Sequence, residues 1–489
     1  MASLIAHDVS FELPNGRLLF QHLSLTLEPR ITALVGPNGI GKTCFARILA
    51  GLTEPSSGRV SVRGRISYFA QRETAPPETV AEFLASDWSP LLANINLDSR
   101  CCDLSGGQWM KVRLSLALKS DTDFFILDEP TNDLDRDGRA AVSDFLREFR
   151  GGVLLISHDR ELLALCDDVV EFSNRGVSRY GLSWNDYVAE KEHERSELGS
   201  KLETAKRERE AASEKRSTLV ERQQKRSQKG ARDGARGSLP KIFIGARKRQ
   251  AQKTSGRVDS ETMSRAAEAV SAAYQAYSAV KVDPIMYANL LAADVAMNAL
   301  IFEADGFNAR YDTHWIFKQD LNLAYRGPIR LAIRGENGSG KSTFLKLIMG
   351  ETSLRTKGDF RSGTLPCLYV DQKCAALNDD DTVLESVRGL RSETELRNGL
   401  AKFLFTGDSV FQKVKDLSGG ERLRLALAKG FLNPTPPGLV VLDEPTNNLD
   451  LANVEFLEHL LRGFKGALVV VSHDDVFLKS AGLDVTLDL

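Results

Sequence analysis

The chain has 489 residues, 42% hydrophobic and 27% charged, with a formal net charge of −2 at pH 7. That length exceeds one ordinary core and implies two to three domains, and the balance of residue types is that of a soluble globular protein. No apolar run reaches the roughly 20 residues of a membrane helix, and no basic stretch followed by an apolar one opens the chain, so neither a membrane span nor a secretory leader is expected and the cytoplasm is. The six cysteines, at 44, 101, 102, 166, 367 and 374, lack metal-site spacing and read as reduced thiols. The near-neutral total hides a split. Residues 191–260 hold 20 Lys/Arg against 10 Asp/Glu, a local +10 that leaves −12 for the remainder.

In chain order, the apolar run 31–35 precedes Gly36, Pro37, Asn38, Gly39, Ile40, Gly41, Lys42 and Thr43, and an amphipathic stretch, 45–49, follows. This is a strand, loop and helix arrangement that binds phosphate. Glycines let backbone N–H groups converge on phosphate oxygens, Lys42 reaches the β- and γ-phosphates of a nucleotide such as ATP, and the Thr43 hydroxyl suits Mg²⁺. Ile40 needs only its backbone here. Leu104, Ser105, Gly106, Gly107 and Gln108 put a serine and two glycines at a helix start, a second anion site too far along the chain to belong to the same loop. Asp128 ends the apolar run 124–127, where a carboxylate suits a divalent cation, and Glu129 beside it can deprotonate an attacking water. His158 follows the run 153–156 and is placed to contact a γ-phosphate. Its Ser-His-Asp setting is not a hydrolase triad, because adjacent residues cannot form that relay.

Residues 186–229 contain no Pro, one Gly and many Glu, Lys, Arg and Ala, which predicts a long helix. A Gly/Pro-containing stretch, 230–256, follows. Met263, Ala267, Val270, Tyr274 and Tyr277 then recur at heptad spacing. Two antiparallel helices with 230–256 at the tip are expected. The bland alternative is a solvated linker, since charge-rich helical sequence often stays unpacked. Between 211 and 257 there are 14 Lys/Arg and three acids, a footprint for nucleic-acid phosphates.

The first set of motifs then recurs in the same order. Gly335, Glu336, Asn337, Gly338, Ser339, Gly340, Lys341 and Ser342 follow the run 329–333, and 344–348 is amphipathic. Leu417, Ser418, Gly419, Gly420 and Glu421 repeat the second anion site. Asp443, Glu444 and His473 repeat the acid pair and the histidine. Lys42 and Lys341 are 299 residues apart, but Asp128 and Asp443 are 315, so the second copy carries extra residues in between. Apolar runs alternating with helical stretches predict a largely parallel sheet covered on both faces in each copy. Two anion surfaces per copy suggest a head-to-tail sandwich, each copy's serine–glycine motif closing over the other's nucleotide.

These motifs resemble the F subfamily of the ATP-binding cassette superfamily. The pointers are Glu129-Pro-Thr-Asn-Asp-Leu-Asp135 and Glu444-Pro-Thr-Asn-Asn-Leu-Asp450, with Trp184-Asn-Asp-Tyr-Val188 leading into the charged helix. The resemblance implies an α/β fold: two P-loop ATP-binding cassette domains, at 1–187 and 298–489, joined by a helical-hairpin (coiled-coil) linker at 188–297. It implies two ATP-hydrolysing sites, with Glu129, His158, Glu444 and His473 catalytic. It implies that Gln71 and Gln372 sense Mg²⁺ alongside Thr43, Asp128, Ser342 and Asp443, and that Asp135 and Asp450 couple the sites. Tyr311 sits where an aromatic stacks on adenine, and the equivalent place in the first cassette falls near Phe11 or Leu13.

Members of this subfamily bind the ribosome, which makes ribosomal RNA and tRNA the expected partners and Lys241, Phe243, Arg247, Lys248 and Arg249 of the tip their contacts. Phe243 suits stacking on a base, and equally suits folding back with Ile242 and Ile244 onto the hairpin. Only 32 residues separate Gln71 from Leu104, too few for the arm that some members insert, and an end at Leu489 predicts no C-terminal extension. With both cassettes in one chain a monomer is expected. Two other readings keep the cassette motifs. A fused ATP-binding subunit of a membrane transporter gives the basic segment no task. A DNA-organising ATPase would split one cassette around a very long coiled coil, whereas each copy here is whole.

Overall fold

Short apolar runs with no polar alternation form the centre of each cassette, because a parallel strand is buried on both faces. The computed structural model describes residues 3–70, 75–84, 92, 95–104, 106–119, 122–132, 134, 136–173, 176–197, 199–201, 204, 207, 211, 214, 218, 293–311, 314–351, 354–447 and 449–489. In the first cassette five strands run parallel in the order Ile66–Phe69, Phe124–Asp128, Gly152–Ile156, Ile31–Val35 and Asp168–Ser173, and Gly176–Arg179 closes the edge antiparallel. The second cassette repeats the order with Cys367–Val370, Leu439–Asp443, Ala467–Val471, Arg330–Arg334 and Val485–Asp488, all parallel.

Each cassette also has an antiparallel sheet that the apolar runs alone do not predict. Ser3–Glu12 lies between Leu18–Leu27 and Ser57–Arg63. Leu300–Tyr311 pairs with His314–Trp315, Leu321–Arg326 and Arg355–Ser362. These strands have one solvated face, so they alternate: Leu23, Leu25 and Leu27 are buried while Ser24 and Thr26 are exposed. Between the two sheets of the first cassette, Phe20, Phe45 and Phe172 make edge and tilted ring contacts at 5.5–5.9 Å. Phe45 lies in the helix Lys42–Leu49, so burial of its ring anchors the helix that begins at the phosphate loop. Phe344 does the same for Lys341–Ile348, against Phe302 and Phe317. Each such ring contributes roughly 2–3 kcal/mol.

Met1–Tyr187 and Ile285–Leu489 pack as one unit, and Val188–Pro284 groups as a second. In the second unit the described residues up to 218 are helical. The returning helix and the tip, with Lys241, Phe243, Arg247, Lys248 and Arg249, lie outside the described residues. All six cysteines are free thiols. Among the described residues no helix is long and apolar enough to cross a membrane.

Arg330 ties the second sheet to its last helices. Its guanidinium donates to the carbonyls of Leu461, Phe464, Ala481 and Gly482 at 2.6–3.0 Å. Arg330→Met leaves those carbonyls without their donor and is expected to destabilise the fold by roughly 2–3 kcal/mol, read as a lower denaturant midpoint with an unchanged slope.

Candidate nucleotide sites

The C-terminal ends of three adjacent parallel strands meet at one edge of each sheet, where open α/β sheets place their ligands. In the first cassette these ends deliver Gly36, His158, and the pair Asp128 and Glu129. Gly36 and Gly335 hold φ of 143° and 149°, and a Cβ on Gly36 would collide with the Phe172 carbonyl oxygen. Glycine is therefore needed where the chain turns to present its N–H groups. Lys42 Nζ donates to the Gly36 and Pro37 carbonyls at 2.5 and 3.2 Å, and Lys341 Nζ to those of Gly335 and Glu336 at 2.7 and 2.9 Å. Both ammonium groups rest on their own loops. Burial lowers the Lys42 pKa, while Glu129, Asp450 and Asp128 oppose the shift.

Asp128 is buried and accepts from the Thr43 hydroxyl at 3.3 Å and the Tyr68 hydroxyl at 3.0 Å. Ser342 likewise hydrogen-bonds Asp443. Burial raises both carboxyls above their usual range. A hydroxyl beside a desolvated carboxylate is an oxygen-only donor set that fits Mg²⁺.

Glu129 and Glu444 adopt left-handed φ of 50° and 46°. Their N–H groups donate to Ile156 and Val471 carbonyls at 2.8 and 2.9 Å, which holds the turn. A non-glycine residue in this region costs roughly 1–3 kcal/mol. The turn aims each carboxylate at the histidine of the neighbouring strand. Glu129 Oε1 lies 3.1 Å from His158 Nε2, and Glu444 Oε1 lies 3.4 Å from His473 Nε2. His158 Nε2 is also 3.3 Å from Asn38 Oδ1. Burial pushes the Glu444 carboxyl up to about 7, with Lys341 and Arg139 opposing it. Glu129 shifts upward for the same cause, and burial then Lys42 hold His158 well below the usual histidine range.

Each site is finished by the other cassette. A cavity of about 560 Å³ is lined by Leu13, Arg17, Asn38, Gly39, Gly41, Lys42, Thr43, Asp128, Glu129 and His158, and by Gly419 of the second cassette. A cavity of about 580 Å³ is lined by Tyr311, Asn337, Gly338, Gly340, Lys341, Ser342, Gln372, Asp443, Glu444 and His473, and by Leu134 of the first. The Asn38 N–H donates to Asp450 Oδ2 at 3.1 Å, placing the second cassette's loop on the first phosphate loop. Ser418 caps the helix Gly419–Phe431. Its hydroxyl and N–H contact the Glu421 carboxylate at 2.7 and 2.9 Å, so an acid of the chain fills that anion site. Gly106, Gly107 and Gln108 open the helix Gly106–Lys119. They line neither of these two cavities, nor do Gly420 and Glu421. Gln71, Ser105 and Asp135 lie outside the described residues.

Sequence patterns missed several residues that contact the site groups or line a cavity. Tyr68 was marked only by its match to Tyr369, three residues before each glutamine. His314 and Trp315 join Tyr311, which is 55% exposed, because a short hairpin returns them to the same cavity. In the first cassette Phe11 stacks on Phe20 at 6.2 Å, and Leu13, Arg17 and Leu19 take the lining positions. The second cavity is aromatic at this end and the first is aliphatic and cationic.

Two phosphate loops, each at the edge of a parallel sheet and faced by the other cassette, define a two-cassette ATPase. The chain matches the ABC transporter family at residues 20–132 and 319–447. It is 32% identical to the ATP-binding protein Uup of Caulobacter vibrioides over 96% of this chain and 75% of that protein. It is 30% identical to the tylosin resistance ATP-binding protein TlrC of Streptomyces fradiae, over 94% and 92%. With ABC transporter F family member 5 of Arabidopsis thaliana the identity is 29%, over 97% and 71%. Among solved structures, an archaeal ribosome recycling factor in complex with a ribosomal stalk protein shares the fold, with a TM-score of 0.59 and 19% identity over 97% and 86%. The chain belongs to the F subfamily of the ATP-binding cassette superfamily.

A carboxyl whose folded pKa exceeds its unfolded value supports the fold fully below the unfolded value, and that support is lost as pH rises through the folded one. For Glu444 the window runs from 4.5 to about 7. Glu444→Gln is therefore expected to stabilise the nucleotide-free protein at pH 8 by on the order of 2 kcal/mol, and much less at pH 5, in denaturant titrations.

Proposed function

We propose that this chain is a cytoplasmic, monomeric translation factor that acts on the ribosome, with ATP binding closing the two cassettes and hydrolysis releasing the protein. The observation that carries the reading is the segment 211–257, where 14 Lys/Arg face three acids between two cassettes whose remainder is acidic. Such a segment is an electrostatic match for ribosomal RNA and tRNA backbones. The similarity to a protein named for tylosin resistance suits the same reading and leaves antibiotic protection as one form of it. A fused ATP-binding subunit of a membrane transporter would leave the basic segment without a partner.

In this mechanism the N–H groups of residues 36–43 and 335–342 hold the ATP phosphates, and Lys42 and Lys341 swing from their own carbonyls onto them. Thr43 and Asp128, with Ser342 and Asp443, would hold Mg²⁺, which offsets phosphate charge when bound. Gln71 and Gln372 contact the same region. Glu129 and Glu444 take the proton of the attacking water, and His158 and His473 keep each carboxylate oriented. A base held near neutrality suits this task. Ser105 with Gly106, Gly107 and Gln108, and Ser418 with Gly419, Gly420 and Glu421, close each site from the opposite cassette. Asp135 and Asp450 couple the two. Tyr311 stacks on adenine in the second site. The linker tip, with Lys241, Phe243, Arg247, Lys248 and Arg249, contacts RNA.

The Glu129→Gln, Glu444→Gln protein should lose at least ~100-fold in ATP hydrolysis. It should sediment with ribosomes only when ATP is present, and deletion of 230–256 should abolish this. Absence of sedimentation by a variant that still binds ATP contradicts the ribosome reading. Charge reversal at Arg247, Lys248 and Arg249 should weaken the association and flatten its dependence on salt. An unchanged salt slope would remove the tip from the RNA interface.

A further inference from the structure

The contacts that enclose the first site form a ring, one link of which has no charged counterpart at the second site. Starting at Glu129, the carboxylate meets His158 at 3.1 Å. Two residues on, Arg160 reaches across to the second cassette and grips Glu458 with its two terminal guanidinium nitrogens, at 2.6 and 3.4 Å. Glu458 lies on the helix Leu451–Gly463, whose N-cap is Asp450. Asp450 returns to the first site by accepting from the Asn38 N–H at 3.1 Å. Asn38 in turn lies 3.3 Å from His158, which closes the ring. Arg160 and Glu458 side chains are only 19% and 11% exposed, so the pair is shielded from water and worth more than a surface bridge.

The cassettes repeat at a fixed offset of 315 over this region, so the corresponding link at the second site would join Asp475 to Ser143. Serine carries no charge to pair. Asp475 instead pairs with Arg334 of its own cassette at 2.6 Å. Arg139 adds to the imbalance. It is anchored by Asp159 at 3.0 Å and lends positive potential to Glu444 and Asp474 across the boundary, while the matching position in the second cassette is Val454. Arg139 and Arg160 of the first cassette thus face acids of the second, while Asp159 and Glu161 beside them add like charge to Asp474 and Asp475.

We propose that Arg160 and Glu458 form a one-sided latch that holds the second cassette against the first nucleotide site, so that the first site retains nucleotide while the second releases it readily. Both are positioning residues, acting through His158 and Asp450. The same polarity opposes wrong pairing. Two second cassettes brought together in this geometry would set Asp475 against Glu458, a like-charge contact. The inference rests on nucleotide binding at the two phosphate loops and is independent of any ribosomal role.

The test uses the full chain with one site disabled at a time, by Lys341→Ala or Lys42→Ala, and follows release of mant-AMPPNP, a fluorescent non-hydrolysable ATP analogue. Release from the first site should be slower than from the second by about tenfold, in line with the coupling of close, shielded charge pairs. Arg160→Glu should speed release from the first site and leave the second within about twofold. Adding Glu458→Arg, which restores the pair with reversed polarity, should return slow release at the first site. The rescue separates the latch from loss of folding. Equal release from the two sites, an equal effect of Arg160→Glu on both, or no rescue by the reversed pair overturns the proposal.

Discussion

Asp450 and Asn38 stand 412 positions apart, and their hydrogen bond at 3.1 Å brings the second cassette onto the first phosphate loop. A phosphate loop alone offers nucleotide one charged wall and leaves the other side to water. Here Gly419 reaches the cavity of the first loop and Leu134 the cavity of the second. Everything else serves that enclosure. Parallel strands place the loop, the acid pair and the histidine at one edge, and buried rings beneath Lys42–Leu49 and Lys341–Ile348 fix the helices that begin at the phosphate loops. The outcome is an ATPase whose two sites exist only where the cassettes meet.

The sites are poorly stabilised without their ligand. Lys42 and Asp128 are buried, and Glu129 and Glu444 sit in a left-handed conformation that glycine would adopt more easily. Burial works against the charged form of each. The ammonium groups turn onto their own loop carbonyls, and Glu421 fills the helix cap where an anion would sit. A nucleotide would exchange these internal contacts for phosphate contacts. Strain of this kind persists because the surrounding sheet over-determines the turn.

The repeat made the central sheets legible. The apolar runs 31–35, 124–127, 153–156 and 329–333 fall on parallel strands, with ends shifted by a residue or less, because such strands have no choice of face to encode. The antiparallel sheets were harder to read. Their alternation is broken by bulges between Ala6 and Val9 and between Ala304 and Phe307, which hides the period of two. Phosphate-binding residues are legible because their chemistry is local to a few positions. Tyr68, His314 and Trp315 are not, since strand pairing brings Tyr68 to Asp128 and the other two to the second cavity. The Arg160–Glu458 pair spans 298 positions and belongs to no motif. Its one-sidedness lies in the sequence, where the matching positions are Asp475 and Ser143.

The most direct test of the shared-site architecture is ultraviolet photocleavage of the vanadate-trapped Lys341→Ala protein, in which only the first phosphate loop holds nucleotide. Vanadate in the γ-phosphate position should cut the chain near Lys42 and also near Ser418 of the opposite cassette, with no cut near Ser105. Cleavage near Lys42 accompanied by Ser105, or by no second site at all, would show that each cassette encloses its nucleotide without the other.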